Sequence, residues 1–494
     1  MGLEGLSDDL LLDIMELVSL PRPEYLHHGN QRNDLLPFIR CSRRLYRLGE
    51  PILYQKFIQM TSKTLPKFIK TLLAHPSLTN HVRVVNLTDR GPAKPPEVGN
   101  LPGQLRDITR GHMGNVIPRQ ASDIDTGTAT LLHKLSPFNF EEMETVEAII
   151  LSLPSDRAAA WIEGIVNQSW DALAALTLCL LPNVNDLQIE KCQDLRWQRF
   201  GHTHNLLSHP FPFAVKTTAK LRNLSVSYEK RARKDGLLAI PVSILALPTL
   251  RSFSGDMMRE TFWKNPSPDT KFSIKSLQLD RCNFSAEALV NLLNSCPELE
   301  VFKYEHDEEK QEHPFYPKHL DGALASLEGV LRELILYRTA LEPGHIVTDE
   351  QFGVIKSLKE FKKLTSLSIT AQLLLGPQKM EGSRWYEAST QHSTESQSLD
   401  SCLPPSLEHL KLKNCGVTIF EEVTRLIEVK PMLVPNLKSL IIEFVHIRSH
   451  YSEGMAFVKR AWSQQLHFGT KNTVVMKLDE LCKGAGVEFD IWYN

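Results

Sequence analysis

The chain has 494 residues, of which 42% are hydrophobic, 23% charged and 8% aromatic. These fractions are typical of a globular protein, and they exclude a wholly disordered, collagenous or membrane-embedded chain. The 56 basic and 58 acidic residues nearly cancel, so no net charge draws the whole molecule to nucleic acid or to an anionic membrane. Leucine is in excess, with 72 residues, and this excess is the first indication of the fold.

The eight cysteines include no Cys-x-x-Cys pair and no close set of cysteine and histidine ligands. Several lie in apolar runs, so we predict reduced, buried thiols, with no metal site and no cofactor. The N-terminus lacks the basic region and cleavage site of a signal peptide. No run approaches the roughly 18 apolar residues of a membrane span. We therefore expect a cytoplasmic or nuclear protein with no membrane partner.

Residues 1–57 predict a helical domain of three short helices. Ser7 is suited to the N-cap of the first helix, and Pro21 ends it. The apolar residues of this helix are expected to form one stripe: Leu10, Leu11, Ile14, Leu17 and Val18. The second helical pattern lies around Leu35, Leu36 and Ile39, and the third runs from Ser42 to Pro51.

Residues 58–159 predict a first repeat followed by a long insertion. A helical pattern reaches Ala74, His75-Pro76 stops it, and an alternating segment through Val85 and Leu87 predicts a strand. Residues 88–130 are rich in Gly, Pro, Arg and Asp, and residues 376–406 are rich in Ser, Gln and Glu. Both segments are predicted to be long mobile insertions, the second one near residues 376–406 of the last domain.

Residues 160–494 repeat one frame nine times: an apolar residue, two others, an apolar residue, one other, an apolar residue. Its middle positions are Leu187, Leu224, Phe253, Leu277, Phe302, Leu334, Leu367, Leu410 and Leu440. Three copies continue to a cysteine, namely Cys192, Cys282 and Cys415. Alternation over a strand, followed by a helical pattern, predicts an α/β solenoid with a parallel sheet inside and helices outside. The terminal GVEFDIWYN predicts a closing strand.

The segments LSDDLLLDIMELV and DLLPFIRCSRRLYRLGEPILYQKF resemble an F-box of the fungal type. The nine copies resemble the cysteine-containing leucine-rich repeats that often follow an F-box. The resemblance implies a substrate-recognition subunit of a Skp-cullin-F-box ubiquitin ligase. Its F-box would bind a Skp-family adaptor, and through it a cullin, while the irregular leucine-rich-repeat solenoid binds the substrate. The residues implied at the adaptor surface are Leu6, Leu10, Leu11, Ile14, Leu36, Ile39 and Leu45.

Two other classes of function are open at this point. One is a ligase-independent leucine-rich-repeat scaffold, in which the N-terminal helices only cap the repeats. The other is an enzyme, but phosphate loops, nucleophile elbows, zinc-protease helices and kinase signatures are absent from the sequence, so we predict no catalysis. GHTHNLLSH at 201–209 and KRARK at 230–234 are interpreted as surface loops rather than as a metal site and a nucleic-acid contact.

The position after the third apolar residue of each copy predicts a substrate surface. Through the nine copies it holds Glu190, Ser227, Asp256, Asp280, Glu305, Tyr337, Thr370, Lys413 and Glu443. Four of the first five are acidic, Asp186 lies on the same face, and Tyr228 and Tyr337 are candidate aromatic anchors. An acidic stripe of this kind predicts a protein substrate with a basic segment. The alternative is an ordinary solvated polar face.

Overall fold

The computed structural model describes residues 5–19, 35–59, 61, 63–89, 136–152, 158–191, 220–228, 242–258, 270–307, 315, 317–338, 354–376, 397–415, 419–444 and 470–493. The chain divides into two compact units, Met1–Gly236 and Leu237–Asn494, and each is described by itself below. The predicted loops at 201–209 and 230–234 lie outside the described residues.

The first unit begins with a three-helix bundle: α1 (Asp8–Ser19), α2 (Leu35–Ile39) and α3 (Arg43–Gln55). Ser7 caps α1, since its Oγ accepts a hydrogen bond from the Leu10 amide at 3.4 Å, as predicted. Ser42 caps α3 in the same way at 3.1 Å. The prediction that Pro51 ends the third helix is wrong, because α3 continues to Gln55. A proline lacks one helical hydrogen bond, and packing of this short amphipathic helix on its neighbours offsets that loss.

The rest of the first unit alternates helices and parallel strands. Its elements are β1 (Lys56–Ile58), α4 (Thr64–Ala74), a 3-10 helix (Pro76–Asn80), β2 (Val84–Asp89), α5 (Phe140–Leu151), α6 (Ala158–Val166), α7 (Trp170–Leu180), β3 (Asp186–Lys191) and β4 (Asn223–Tyr228). The strands pair in parallel in chain order, β1 with β2, β2 with β3 and β3 with β4. The predicted helix to Ala74 and the strand after it are confirmed, whereas β1 was not foreseen.

Within its described residues, the second unit has eight parallel strands, with helices between most of them. Its elements are α8 (Val242–Leu245), β5 (Ser252–Asp256), β6 (Ser276–Cys282), α9 (Ala286–Asn294), β7 (Val301–His306), a 3-10 helix (Pro317–Leu320), α10 (Asp321–Ala325), β8 (Glu333–Arg338), β9 (Ser366–Thr370), α11 (Ala371–Leu375), α12 (Leu399–Cys402), β10 (His409–Cys415), α13 (Ile419–Leu433), β11 (Ser439–Phe444), α14 (Thr470–Gly484) and β12 (Glu488–Tyr493). The predicted closing strand is confirmed as β12, which pairs with β11.

The predicted leucine-rich frame is confirmed by the register of these strands. The middle positions of β5 to β11 lie side by side: Phe253, Leu277, Phe302, Leu334, Leu367, Leu410 and Leu440. All are buried. Burial of one such side chain contributes about 1.5–3 kcal/mol relative to leaving it in water. Because each strand presents its apolar face to the same layer of helices, the frame yields the predicted α/β architecture.

The cysteine position of the frame depends on a local change of strand phase. In β6 and β10 the residue before the cysteine is left-handed, with φ 49° at Arg281 and 54° at Asn414. This irregularity turns Cys282 and Cys415 inward, and both are buried as predicted. Met257 has the same conformation, so Met258 occupies the equivalent position after β5. Cys192 lies outside the described residues.

Gly255 stands where the frame expects the third apolar residue of β5. A Cβ atom at Gly255 would lie 2.2 Å from the sulfur of Met258. The Met258 side chain therefore fills the space that a larger third residue would take. This packing explains why the weakest copy of the frame still forms a strand in register with β6.

The predicted insertions are shorter than their sequence composition suggested. Residues 397–406, assigned to the second insertion, contain α12, and its Leu399 and Cys402 are buried. Thr88 and Asp89, assigned to the first insertion, complete β2. Polar composition concealed these elements because only two side chains of α12 contact the core. The intervening residues of both insertions, 90–130 and 377–396, lie outside the described residues.

Candidate interaction surfaces

The apolar arc of helix α1 has a buried part and an exposed part. Leu11 and Met15 are fully buried and form a core with Leu35, Ile39 and Leu45. Leu10 and Leu17, seven residues apart and on the same side of the helix, are 51% and 68% exposed. The predicted residues do lie in one arc of the helix, but only part of that arc is buried. Five apolar residues span too wide an arc for a short helix to bury, and Leu10 and Leu17 are on the outward side.

The orientation of α1 is held by an ion pair to α3. The Arg44 guanidinium donates to Asp8 Oδ1 through Nε at 2.8 Å and through Nη2 at 2.6 Å. The same Nη2 donates to the Leu6 carbonyl oxygen at 2.8 Å. Arg44 thus clamps the start of α1 and favours a single orientation of its exposed side.

The residues implied at the adaptor surface are placed unequally. Leu11, Ile39 and Leu45 are buried in the core of the bundle. Leu6 and Leu36 are partly buried and pack against that core, and Ile14 is partly buried on α1. Leu10 is the most exposed member of the set. Leu17 was not among them, although its spacing of seven residues from Leu10 was a visible signal.

In the first unit, the predicted acidic positions are engaged by neighbouring strands. Thr88 Oγ1 donates to Glu190 Oε2 at 3.3 Å, and Asn223 Nδ2 donates to Asp186 Oδ1. Tyr228 is the last residue of β4, and its side chain lies outside the described residues. Glu190 and Asp186 are therefore parts of hydrogen-bonded pairs on the sheet.

In the second unit, the position after the third apolar residue forms a row across the sheet, which we call the end row. It contains Asp256, Asp280, Glu305, Tyr337, Thr370, Lys413, Glu443 and Trp492. Asp256 lies opposite Asp280, Glu305 opposite Tyr337, and Glu443 opposite Trp492. Leu279 and Tyr304, which precede Asp280 and Glu305, are also in register. The predicted alignment of these positions is thus present in this unit.

The end row is not a stripe of one sign. Arg281 Nε donates to Asp256 Oδ1 at 2.9 Å, and Lys303 Nζ lies 2.7 Å from Asp280 Oδ1. The left-handed backbone at Arg281 allows the Arg281 side chain to reach Asp256 on the preceding strand, β5. The interpretation of a uniformly acidic stripe is therefore wrong for this unit, since two of its three consecutive carboxylates have a cation beside them.

The other end of the row is a cluster of lysines and aromatic rings around one carboxylate. Lys411 Nζ lies 2.9 Å from Glu443 Oε2 and 3.7 Å from the centre of the Trp492 ring. Lys413 Nζ lies 3.8 Å from the same oxygen and 3.6 Å from the centre of the Tyr337 ring. Cation–π contacts and the buried Glu443 carboxylate hold both ammonium groups. Trp492 stays 41% exposed.

Glu305 differs from its neighbours in the end row. Its side chain is partly buried, and it has no hydrogen bond or ion pair within the part of the chain that the structure describes. Burial raises the pKa of Glu305, and the nearby Asp280 carboxylate raises it further, while Lys413 and Lys303 act in the opposite direction. The adjacent Tyr337 donates to or accepts from Ser368 Oγ at 2.7 Å.

The buried cysteines with described positions have raised pKa values. Burial raises the pKa of Cys296 and of Cys402 to about 12, and it raises the pKa of Cys282 and Cys415 still more. Thiols of this kind are poor nucleophiles at neutral pH. Among the residues with described positions, no three histidine, cysteine or acidic side chains are grouped closely enough to hold a metal ion.

The helices in the described ranges are all too short or too polar to cross a membrane.

Comparison with known proteins agrees with the strand frame. The model of a family described as "Leucine-rich repeat domain" matches residues 217–482, which is more than half of the chain. No curated protein matches the chain. Domains of this family are typically non-catalytic interaction modules. Because the strands in register carry the leucine frame and the match covers most of them, the chain belongs to the leucine-rich repeat domain family.

Proposed function

We propose that the protein is the substrate-recognition subunit of a Skp-cullin-F-box type ubiquitin ligase. The observation that carries the proposal is the outward apolar side of α1, where Leu10 and Leu17 stand exposed beside the partly buried Ile14. Exposed leucines at helical spacing on an oriented helix form a surface that a partner protein can cover. The resemblance of residues 6–57 to an F-box implies that this partner would be a Skp-family adaptor.

The bundle is suited to present this surface. Five buried side chains form its core, and the Asp8 and Arg44 pair ties α1 to α3. The exposed leucines are therefore held in place before binding, which lowers the entropy lost on association. Interface energy concentrates in a few apolar anchors, and Leu10 and Leu17 are the candidates on this helix.

In this proposal the chain itself performs no chemistry. The bundle binds the adaptor, and the repeats bind the protein to be ubiquitylated. Holding both in one complex raises the local concentration of a substrate lysine near the ubiquitin thioester.

The test is to measure binding of a recombinant Skp-family adaptor to the full-length protein. We expect the double change Leu10→Asp and Leu17→Asp to weaken adaptor binding at least about a hundredfold, because each hot-spot residue contributes about 2 kcal/mol or more. Both side chains are exposed, so the fold should remain intact. Circular dichroism and calorimetric titration give the two measurements.

A matched control places the same charges elsewhere. Leu151→Asp with Met432→Asp alters two residues that are 66% and 78% exposed on α5 and α13, and adaptor affinity should stay within about twofold. Unchanged adaptor binding by the Leu10 and Leu17 variant would contradict the assignment of this surface. If the unmutated protein does not bind the adaptor at all, the ligase proposal fails and the ligase-independent scaffold is favoured.

A further inference from the structure

The end row of the second unit contains one carboxylate that its neighbours leave without a cation. Asp256 is paired with Arg281, Asp280 with Lys303, and Glu443 with Lys411 and Lys413. Glu305 has neither an ion pair nor a hydrogen bond among the residues that the structure describes. The cations closest to it are already engaged, Lys303 by Asp280 and Lys413 by the Tyr337 ring.

The surroundings of Glu305 make an unpaired charge costly. The side chain is partly buried, and its neighbour Asp280 has the same sign. Both effects disfavour the ionised carboxylate, and a cation brought to Glu305 would relieve them. A position of this kind gains more from an incoming basic group than a fully solvated carboxylate does.

An aromatic residue lies on the strand next to that of Glu305. Tyr337 is the register partner of Glu305 on the neighbouring strand β8, and its hydroxyl is tied to Ser368. The ring is thereby held in position by its contacts with Ser368 and Lys413. An arginine suits this pair of residues best, because its planar guanidinium can pair with the Glu305 carboxylate and pack against the part of Tyr337 that Lys413, 3.6 Å from the ring centre, leaves uncovered.

We propose that the sheet face of the second unit binds an extended segment of a partner protein through one basic side chain, best an arginine, which pairs with Glu305 beside Tyr337. This inference deepens the proposed function and rests on it for the role of that partner as the substrate. The acidic stripe predicted from the sequence is thereby reduced to one carboxylate, that of Glu305. The basic side chain of the partner would pair with Glu305, because the other carboxylates of the end row already have cations beside them.

The first experiment identifies binding peptides without assuming a substrate. A random peptide library displayed on phage is selected against the full-length protein, and the selected sequences are synthesised for titration. We expect them to share one arginine or lysine, and its replacement by norleucine to lower affinity about tenfold or more. Selection of no peptide, or of peptides without a shared basic residue, would overturn the proposal.

The second experiment assigns that basic residue to its position on the protein. Glu305→Gln should weaken the selected peptides about tenfold or more, since it removes the charge and keeps the side-chain volume. Glu333→Gln is the matched control, because Glu333 is also without an ion pair among the described residues and lies on the same face, four residues or about 13 Å along β8 from Tyr337. Its effect should stay within about twofold.

A charge swap completes the test. Glu305→Arg should bind a peptide in which the shared arginine is replaced by glutamate better than it binds the original peptide. Equal weakening by the Glu305 and Glu333 changes, or no recovery in the swap, would overturn the assignment to Glu305. Adaptor binding by Glu305→Gln should be unchanged. If the unmutated protein binds the selected peptides but does not bind the adaptor, the ligase role would be contradicted and the peptide site would not.

Discussion

The three-helix bundle and the strands of the second unit differ in how completely they cover their apolar side chains. In the second unit each inner strand has a neighbour on both sides, and the middle positions of the frame are fully buried. In the bundle, only the part of the apolar arc of α1 that contains Leu11 and Met15 reaches the core. Leu10 and Leu17 stay in contact with water.

The difference separates two uses of leucine in one chain. A stack of repeats buries its leucines because each repeat is covered by the next. These leucines therefore stabilise the fold. A single helix in a small bundle has only one covered side, so additional leucines on it stay exposed, as Leu10 and Leu17 do. The proposed adaptor would cover them. The carboxylates of the end row also fall into two groups. Asp256, Asp280 and Glu443 each have a cation beside them, whereas Glu305 has no ion pair among the described residues.

The largest effect should come from truncating a buried strand leucine. Leu336→Ala in β8 leaves a cavity at a fully buried position, and we expect the free energy of unfolding to fall by about 2–5 kcal/mol. Leu17→Ala on α1 should change it by no more than about 0.5 kcal/mol. Urea denaturation of the two variants measures both. Similar losses would remove the distinction between the two classes of leucine.

A smaller loss of stability is expected where a glycine is packed against a neighbouring side chain. A Cβ atom at Gly49 in α3 would lie 2.2 Å from Ile39 Cγ2, a buried branched side chain that cannot move away. Overpacking costs about 1–3 kcal/mol, and the better helix propensity of alanine returns about 1 kcal/mol. Gly49→Ala should therefore lower the free energy of unfolding by up to about 2 kcal/mol.

Gly255→Ala is the comparison for Gly49→Ala. Its added Cβ atom approaches the sulfur of the flexible Met258 side chain. We expect the loss to be smaller than for Gly49→Ala in thermal unfolding. A larger loss for Gly255→Ala would mean that Met258 is as rigidly packed as Ile39.

The smallest effect concerns Glu305 and pH. Burial and Asp280 raise the pKa of Glu305 in the folded protein, so the folded state holds the proton more tightly than the unfolded state does. The resulting loss of stability is absent below the unfolded pKa of about 4.3, grows as the pH rises, and is complete above the folded pKa. Glu305→Gln should therefore raise the melting temperature at pH 7 and leave it nearly unchanged near pH 4. An equal or lower melting temperature of the variant at pH 7 would contradict this account.

Much of the fold was predictable because the repeat frame is local. Nine middle positions, the Ser7 cap, the end of α4 at Ala74 and the closing strand all follow from residue type and spacing. The errors have physical causes. Pro51 lies inside α3 because tertiary packing outweighs one missing hydrogen bond, and residues 397–406 contain α12 because two buried side chains suffice to dock it.

Residue spacing alone predicts which side chains of each strand enter the core, because side chains alternate along a strand with a period of two. Which charges remain without a partner depends instead on how the strands and helices pack. Arg281 reaches Asp256 through a left-handed backbone, and Lys413 reaches Tyr337 from a strand more than 70 residues away in the chain. These pairings depend on neighbours in space rather than in sequence, so the exposed side of α1 and the unpaired Glu305 became visible only once the strands and helices were packed.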